Sequence, residues 1–183
     1  MSTECPILVG IFNGFSWIRC EGKGSFLNSP VLKEFGSARV AAGENCLVVD
    51  LEGCTGMDST FMGTLAGMAT RLSALEGGVI QVANAGDRNR RSLEDLGLDF
   101  LLEIEPAEAV WLGSVDSIRA DLKPPHPAAS PNPVQQSQIV LEAHQVLAAA
   151  NDKNTETFSG VVTMLESRMA EKQRLAQTPP TEE

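Results

Sequence analysis

The 183-residue sequence contains no run of eighteen uninterrupted apolar residues, the approximate length that a membrane-spanning helix requires. Its first six residues lack the basic start and long apolar stretch of a secretion signal, so we expect a cytoplasmic protein. Basic residues are also scarce, with 14 lysines and arginines against 24 aspartates and glutamates. Because contacts to a phosphate backbone need clustered lysine and arginine, the formal net charge of −10 argues against nucleic-acid binding. We therefore expect neither a membrane nor a nucleic acid as a partner.

Signatures of metal and cofactor binding are missing too. The four cysteines form no C-x-x-C pair and have no companion histidines at zinc spacing; they are Cys5, Cys20, Cys46 and Cys54. The glycine-rich segment at residues 22–25 lacks the G-x-x-x-x-G-K-[ST] spacing of a nucleotide-binding loop. We therefore expect reduced thiols, no metal site and no cofactor.

What the sequence does contain is centred on residues 45–63, NCLVVDLEGCTGMDSTFMG. Residues 46–51 are apolar apart from Asp50, a pattern that predicts a strand buried on both faces. A short loop follows, and Asp58 is a residue type that commonly caps a helix. The 3.6-residue apolar period then predicts a helix over residues 59–75. Gly63 and Gly67, four positions apart in this helix, indicate close approach of the sheet or of a partner.

Ser59 and Thr60 fall in the first turn of that helix. Backbone N–H groups are unpaired there and the helix dipole is positive, so a phosphate on either hydroxyl would be favourably placed. The alternative interpretation is structural, because Asp58, Ser59 and Thr60 are ordinary residues at a helix N-terminus. The local sequence leaves both interpretations open.

The remaining apolar patterns predict alternating strands and helices. We expect strands at residues 7–12, 15–20, 46–51, 79–83 and 100–104, and helices at residues 29–42, 59–75, 87–97 and 106–122. Asn13-Gly14 predicts a type I′ turn between the first two strands. Since strand–helix–strand crossovers are right-handed, these elements predict an α/β fold with a small mixed sheet and helices mainly on one face.

This pattern resembles the STAS domain of sulfate transporters and anti-sigma factor antagonists. The resemblance covers roughly residues 7–122 and depends on the strand that ends in Asp50-Leu51 and on Met57-Asp58-Ser59-Thr60 at the helix start. In the bacterial antagonists, an anti-sigma factor with serine kinase activity phosphorylates the serine that follows the aspartate. The resemblance therefore implies phosphorylation at Ser59, with Thr60 as second choice, and reversal by a serine phosphatase.

The resemblance also implies a partner-binding surface around Ser59, made by Met57, Asp58, Thr60, Phe61, Met62 and Gly63. Family members commonly have glycine where this chain has Phe61, whose ring would either contact the partner or pack inward. The chain also has Ser25 where antagonists usually have an aspartate that contacts the partner. Catalysis is not expected, because the only histidines, His126 and His144, lie outside the region of resemblance and Ser59 would need a nearby base.

Arg88, Arg90 and Arg91 form the only dense basic patch in the sequence. We interpret it as a solvated helix face. The functional alternative is a docking surface for an acidic partner or for phosphorylated Ser59.

The sequence divides into four parts: a STAS-like domain at residues 1–122, a proline-rich linker at 123–133, a helical hairpin at 134–177 and a disordered tail at 178–183.

The apolar face of the first hairpin helix comprises Ile139, Ala143, Val146, Leu147 and Ala150, and that of the second comprises Phe158, Val161, Val162, Leu165 and Met169. A two-helix hairpin buries little surface alone, so we expect it to pack on the first domain, on another copy of the chain or on a partner. The alternative function is a non-phosphorylated scaffold that these helices assemble into an oligomer or a larger signalling complex.

Overall fold

The computed structural model describes residues 7–126 and 130–178. Its strands are β1 (Ile7–Phe12), β2 (Phe15–Cys20), β3 (Gly22–Gly24), β4 (Cys46–Asp50), β5 (Cys54–Met57), β6 (Val79–Ala83) and β7 (Glu103–Ile104). Its α-helices are α1 (Ser29–Ala41), α2 (Ser59–Ser73), α3 (Gly86–Asp95), α4 (Val115–Ala120), α5 (Pro133–Ala150) and α6 (Asp152–Gln177). The predictions for residues 1–6, including Cys5, and for the tail beyond Thr178 lie outside the described residues.

The main sheet has five strands in the order β1-β2-β4-β6-β7. β1 and β2 form an antiparallel hairpin, whereas the β2–β4, β4–β6 and β6–β7 pairs are parallel. β3 and β5 form a separate parallel pair beside the start of α2. The predicted fold class, a small mixed sheet with helices mainly on one face and a C-terminal helical extension, is confirmed.

The two faces of the sheet bury different side chains because neighbouring residues of a strand point to opposite sides. Ile18 and Cys20 of β2 join the larger core, together with Leu65 of α2. Phe15 and Trp17 of β2 join a smaller aromatic cluster with Trp111 and Ile118. The sheet therefore has one face covered by helices and a second face with a smaller core, which is closed mainly by α4 and the segment before it.

Three local predictions are wrong. The turn after β1 is not type I′, because Asn13 keeps a negative φ and only Gly14 is left-handed, with φ of 89°. Two short strands, β3 and β5, form where loops were expected at residues 22–25 and 53–56. The strand expected at 100–104 shrinks to β7, because residues 98–100 form a 3-10 turn that leaves Phe100 90% exposed.

The helix predicted over residues 106–122 is also wrong, since only α4 forms there. Gly113 has φ of 83°, a left-handed conformation that ends any helix running into it. Trp111 instead anchors the preceding segment: its indole N–H donates to Gln81 at 2.8 Å and its ring packs edge-on against Trp17. Val110 is 80% exposed.

The C-terminal helices pack on the rest of the chain rather than standing apart from it. α5 contacts α2 and α1, and α6 packs along α5. Asn151 ends α5 and caps α6 by accepting a hydrogen bond from the Asn154 amide at 2.8 Å. Leu147 of α5 is fully buried in the larger core. Of the three packing arrangements expected for the hairpin, this structure shows the one on the first domain.

Candidate functional site

Asp58 caps α2, as the sequence predicts. One carboxylate oxygen accepts from the Phe61 amide at 2.8 Å, and the other accepts from the Phe26 amide, also at 2.8 Å. The Asp58 amide donates to the carbonyl of Gly24 at 2.9 Å. The cap therefore ties the start of α2 to the loop before α1 and fixes the position of Ser59.

Ser59 is partly buried, and its Oγ lies 2.9 Å from Nε2 of His144 on α5. The other ring nitrogen of His144, Nδ1, lies 2.7 Å from the carbonyl oxygen of Val140. A carbonyl can only accept, so in the neutral ring Nδ1 carries the proton and Nε2 is an acceptor. The Ser59 hydroxyl therefore donates its hydrogen bond to His144.

This contact corrects the expectation that neither histidine would lie near Ser59. The two residues are 85 positions apart in sequence, and only the packing of α5 on α2 brings them together. His126 instead lines a cavity with Val31 and Glu34 of α1. The Ser59–His144 pair has the donor order of an activated hydroxyl, but the group that orients the ring is a backbone carbonyl and not the carboxylate of a catalytic triad.

His144 is itself held on both sides. The ring of Phe158 on α6 lies 5.8 Å from the imidazole, centroid to centroid, in an edge-on arrangement. The residue is 7% exposed, so the imidazole sits between Ser59 and α6 with little contact with solvent.

The backbones of α2 and α5 approach closely next to this contact. Any side chain at Gly63 would place its Cβ against the carbonyl oxygen of Ala143. A Cβ at Gly67 would lie 3.6 Å from Val146, an ordinary contact distance. The glycine pair was predicted to allow close approach of the sheet or of a partner; the close approach is instead made by α5 of the chain itself, and at Gly63 alone.

The residues predicted to bind a partner differ in exposure. Met57 and Asp58 are partly buried. Thr60 is 5%, Phe61 0% and Met62 8% exposed, and Gly63 is buried beneath α5. Phe61 packs inward, where a Cβ at Gly24 would lie 2.8 Å from its ring.

One member of the predicted basic patch lies beside β5, the strand that precedes α2. A Cβ at Gly56 would lie 3.6 Å from the guanidinium of Arg88. The neighbouring Cys20 thiol lowers the pKa of Cys54, against the effect of burial, and the backbone around Gly56 and Gly24 and the charge of Arg88 act in the same direction. Arg90, by contrast, is paired with Glu105 and Glu94.

A second polar cluster surrounds Asp50 at the end of β4. This carboxylate is fully buried and accepts from Arg119 at 2.8 and 3.1 Å, from Arg19 at 2.9 Å and from the Trp17 indole at 3.3 Å. Burial acts to raise the pKa of Asp50, but the hydrogen bonds from Arg119, the Glu52 amide and Arg19 hold it below its usual value. In the sequence, Asp50 is recognisable as a break in an apolar run and as part of the family resemblance, whereas no local pattern points to Arg119.

No group of three or more histidine, cysteine, aspartate or glutamate side chains within residues 7–126 and 130–178 is arranged to hold a metal ion. Cys20, Cys46 and Cys54 are unpaired among the same residues. None of the helices in the described part of the chain is long and apolar enough to cross a bilayer.

Two solved structures illustrate the similarity of the fold. An anti-sigma factor antagonist from Mycobacterium paratuberculosis is 24% identical with a TM-score of 0.51, and the match covers 65% of this chain and 99% of that one. A Thermotoga maritima protein assigned as an anti-sigma factor antagonist is 16% identical with a TM-score of 0.50, covering 61% of this chain and 92% of that one.

No curated protein sequence matches the chain. The family model of the STAS domain, however, matches residues 7–110, which is more than half of the sequence. That segment contains the whole five-stranded sheet, the Asp58 cap and Ser59. The chain therefore belongs to the STAS domain family.

Proposed function

We propose that this chain is a protein-binding module of the anti-sigma factor antagonist kind, switched by phosphorylation of Ser59. With Ser59 unmodified, it binds an anti-sigma factor that has serine kinase activity. With Ser59 phosphorylated, it is released, and a serine phosphatase restores binding. In this role the chain is the substrate of a kinase and not itself an enzyme. The observation that carries the proposal is the position of Ser59 in the first turn of α2, next to the capping carboxylate of Asp58.

The physical basis is the change of charge at that position. A phosphate adds about −1.5 to −2 charges at pH 7. The N-terminus of α2 can hold this charge, because its first backbone N–H groups and the helix dipole attract an anion. The carboxylate of Asp58 is adjacent, so a partner docked here would face two negative groups and would have to desolvate both. Phosphorylation is therefore compatible with the fold and unfavourable for docking.

The partner-binding residues in this proposal are Met57, Asp58, Thr60, Phe61, Met62 and Gly63. Met57 and Asp58 are the ones that reach solvent beside Ser59. Phe61 is buried and contributes indirectly. Its ring fills the space under Gly24 and supports the loop whose Phe26 amide donates to Asp58. Ser59 is preferred to Thr60 as the phosphorylation site, because Thr60 is only 5% exposed.

A phosphorylation assay tests the proposal. The purified chain is incubated with ATP and the anti-sigma factor kinases of its source cell, and phosphate is located by peptide mass spectrometry. We expect one phosphate at Ser59, none in Ser59→Ala, and unchanged incorporation in the matched Thr60→Ala variant. Incorporation that survives Ser59→Ala would reject Ser59 as the switch.

The second candidate function is a scaffold assembled through the helical extension. It is favoured by apolar side chains that α6 leaves in solvent, Met164 at 45% and Leu175 at 61% exposed. Light scattering of the full chain tests this role. A scaffold should form oligomers that dissociate in Met164→Glu/Leu175→Glu, whereas the phospho-switch predicts that kinase recognition of Ser59 is unaffected by this double variant.

A further inference from the structure

The surface around Ser59 already has an occupant in this structure, which is α5 of the same chain. His144 accepts the hydrogen bond of Ser59, and Ala143 fills the space above Gly63. Ala143 is 3% exposed and Leu147, one turn further along, is fully buried. α5 therefore covers the switch residue with a contiguous face.

We propose that α5 is an intramolecular competitor for this surface. While α5 is docked on α2, the partner cannot bind there and Ser59 cannot carry a phosphate. The proposal rests on the proposed function of Ser59 and adds its regulation. The chain then has a closed state, with α5 on α2, and an open state, in which the kinase can reach Ser59. The partner that replaces α5 would present a helix with a small residue opposite Gly63.

The contact geometry makes the docked extension and a phosphate incompatible. Oγ of Ser59 and Nε2 of His144 are already at hydrogen-bond distance, which leaves no room for a phosphorus atom between them. The imidazole is held in place, because Nδ1 donates a hydrogen bond to the Val140 carbonyl and Phe158 packs against the ring. The contact of Ala143 with Gly63 fixes the distance between the backbones of α5 and α2. With the Ser59 side chain in this position, a phosphate on its Oγ therefore displaces the helix or its histidine.

The polar contacts between the extension and the rest of the chain are compatible with release of α5. Lys33 of α1 pairs with Glu142 of α5, and both side chains are partly exposed. Asn151 and Asn154 donate to the carbonyl of Leu96 at 3.1 and 2.9 Å. Partly exposed ion pairs of this type contribute little, on the order of 0–1 kcal/mol. The buried part of the contact lies on α5, where Ala143 and His144 cover Gly63 and Ser59 and Leu147 enters the larger core.

Hydrogen exchange on a phosphorylated chain tests the proposal without any partner or kinase. Phosphoserine is incorporated at position 59 of the full chain by genetic-code expansion, and exchange is followed by mass spectrometry. We expect amides of α5 to exchange at least about tenfold faster than in the unmodified chain, while amides of β4 keep their protection. Unchanged protection of α5 would overturn the proposal. Loss of protection in β4 as well would also contradict it, because the phosphate would then unfold the domain and not release the extension.

A variant of the extension tests the same contact without phosphate. Ala143→Leu adds bulk against Gly63 and should release α5, with the same gain in exchange. Ala170→Leu, the same substitution at an exposed position of α6, is the matched control and should leave α5 protected. If Ala143→Leu keeps α5 protected, the proposal is wrong. Either failure would leave the kinase assay for Ser59 unaffected, so the two proposals can fail separately.

Discussion

Asp50 is the last residue of β4 and Ser59 is the first residue of α2, and the surroundings of the two side chains are opposite in character. Asp50 is fully buried and charged, and it accepts hydrogen bonds from two arginines and an indole. Ser59 is neutral and partly buried, and it makes one hydrogen bond to a histidine on α5, a helix distant in sequence. A buried charge with fixed partners is expensive to disturb, whereas a single neutral hydrogen bond is not. We therefore expect the Asp50 cluster to contribute more to stability than the contact of Ser59, the residue proposed as the switch.

The largest expected effect comes from breaking the Asp50 cluster. Arg119→Met keeps the length of the side chain but removes two hydrogen bonds to a buried carboxylate. Removing one partner of a buried ion pair typically costs about 3–5 kcal/mol of unfolding free energy. Urea denaturation measures this loss, with Arg91→Met, an exposed arginine on α3, as control. A loss below about 0.5 kcal/mol, the level of ordinary surface substitutions, would show that Asp50 does not depend on this pair.

Acid titration sharpens the same point. The pKa of Asp50 is lowered in the folded chain, so its contribution to stability is complete above its unfolded pKa of about 3.9 and is lost as the pH falls through the folded pKa. The stability difference between the wild type and Arg119→Met should therefore narrow as the pH falls below about 4. Denaturation curves at several pH values measure this difference. A gap that stays constant down to the acid transition would contradict the assignment of the effect to ionised Asp50.

Asp58→Ala is expected to have an intermediate effect. The substitution removes the cap of α2 and the acceptor for the Phe26 amide. Loss of a helix cap costs about 0.5–2 kcal/mol, and we expect the upper half of this range because two amides lose their acceptor. Thermal denaturation gives the value, with Asp99→Ala at an exposed position as control. A result equal to the control would mean that the cap does not hold the start of α2.

Ser59→Ala is expected to change stability still less. It leaves Nε2 of His144 without its donor, a loss of roughly 1 kcal/mol for a net neutral hydrogen bond. Its effect should be confined to α5, so exchange of α5 amides should rise slightly while that of β4 amides does not change. A destabilisation as large as that of Arg119→Met would remove the contrast between the two residues.

The smallest effect is expected at the ion pair between Lys33 and Glu142. The hydrogen bond from Lys33 lowers the pKa of Glu142 although burial acts to raise it. Both groups are partly exposed, so the coupling energy should be about 0.5 kcal/mol or less. A double-mutant cycle with Lys33→Met, Glu142→Gln and the double variant measures the coupling, because neither substitution creates a like-charge pair. A coupling above about 1 kcal/mol would show that charge, and not the α5 contact at Gly63, holds the extension.

The parts of the fold that the sequence predicts correctly are those decided by local pattern. The burial of both faces of β4 and the Asp58 cap follow from an apolar run and a capping residue. The helix expected at 106–122 fails because Trp111 is fixed by contacts with Gln81 and Trp17, which are distant in sequence. Packing of this kind overrides a local helical period.

The candidate site shows the same division. Ser59 could be found from its position after Asp58 in a family motif. His144 could not, because no local pattern relates two residues 85 positions apart. The one available signal was the Gly63–Gly67 pair, which indicated close approach without identifying the helix that approaches.

The most direct test of the central claim is the phosphorylation state of Ser59 in the cell. The full chain is recovered from its own cells, and the peptide at residues 40–71 is analysed by mass spectrometry before and after treatment with a serine phosphatase. We predict that a fraction of this peptide carries phosphate at Ser59 and that the phosphatase removes it. A peptide that is unmodified at Ser59 under growth, starvation and stress would contradict the phospho-switch and would leave the Asp58–Ser59 turn as a structural cap.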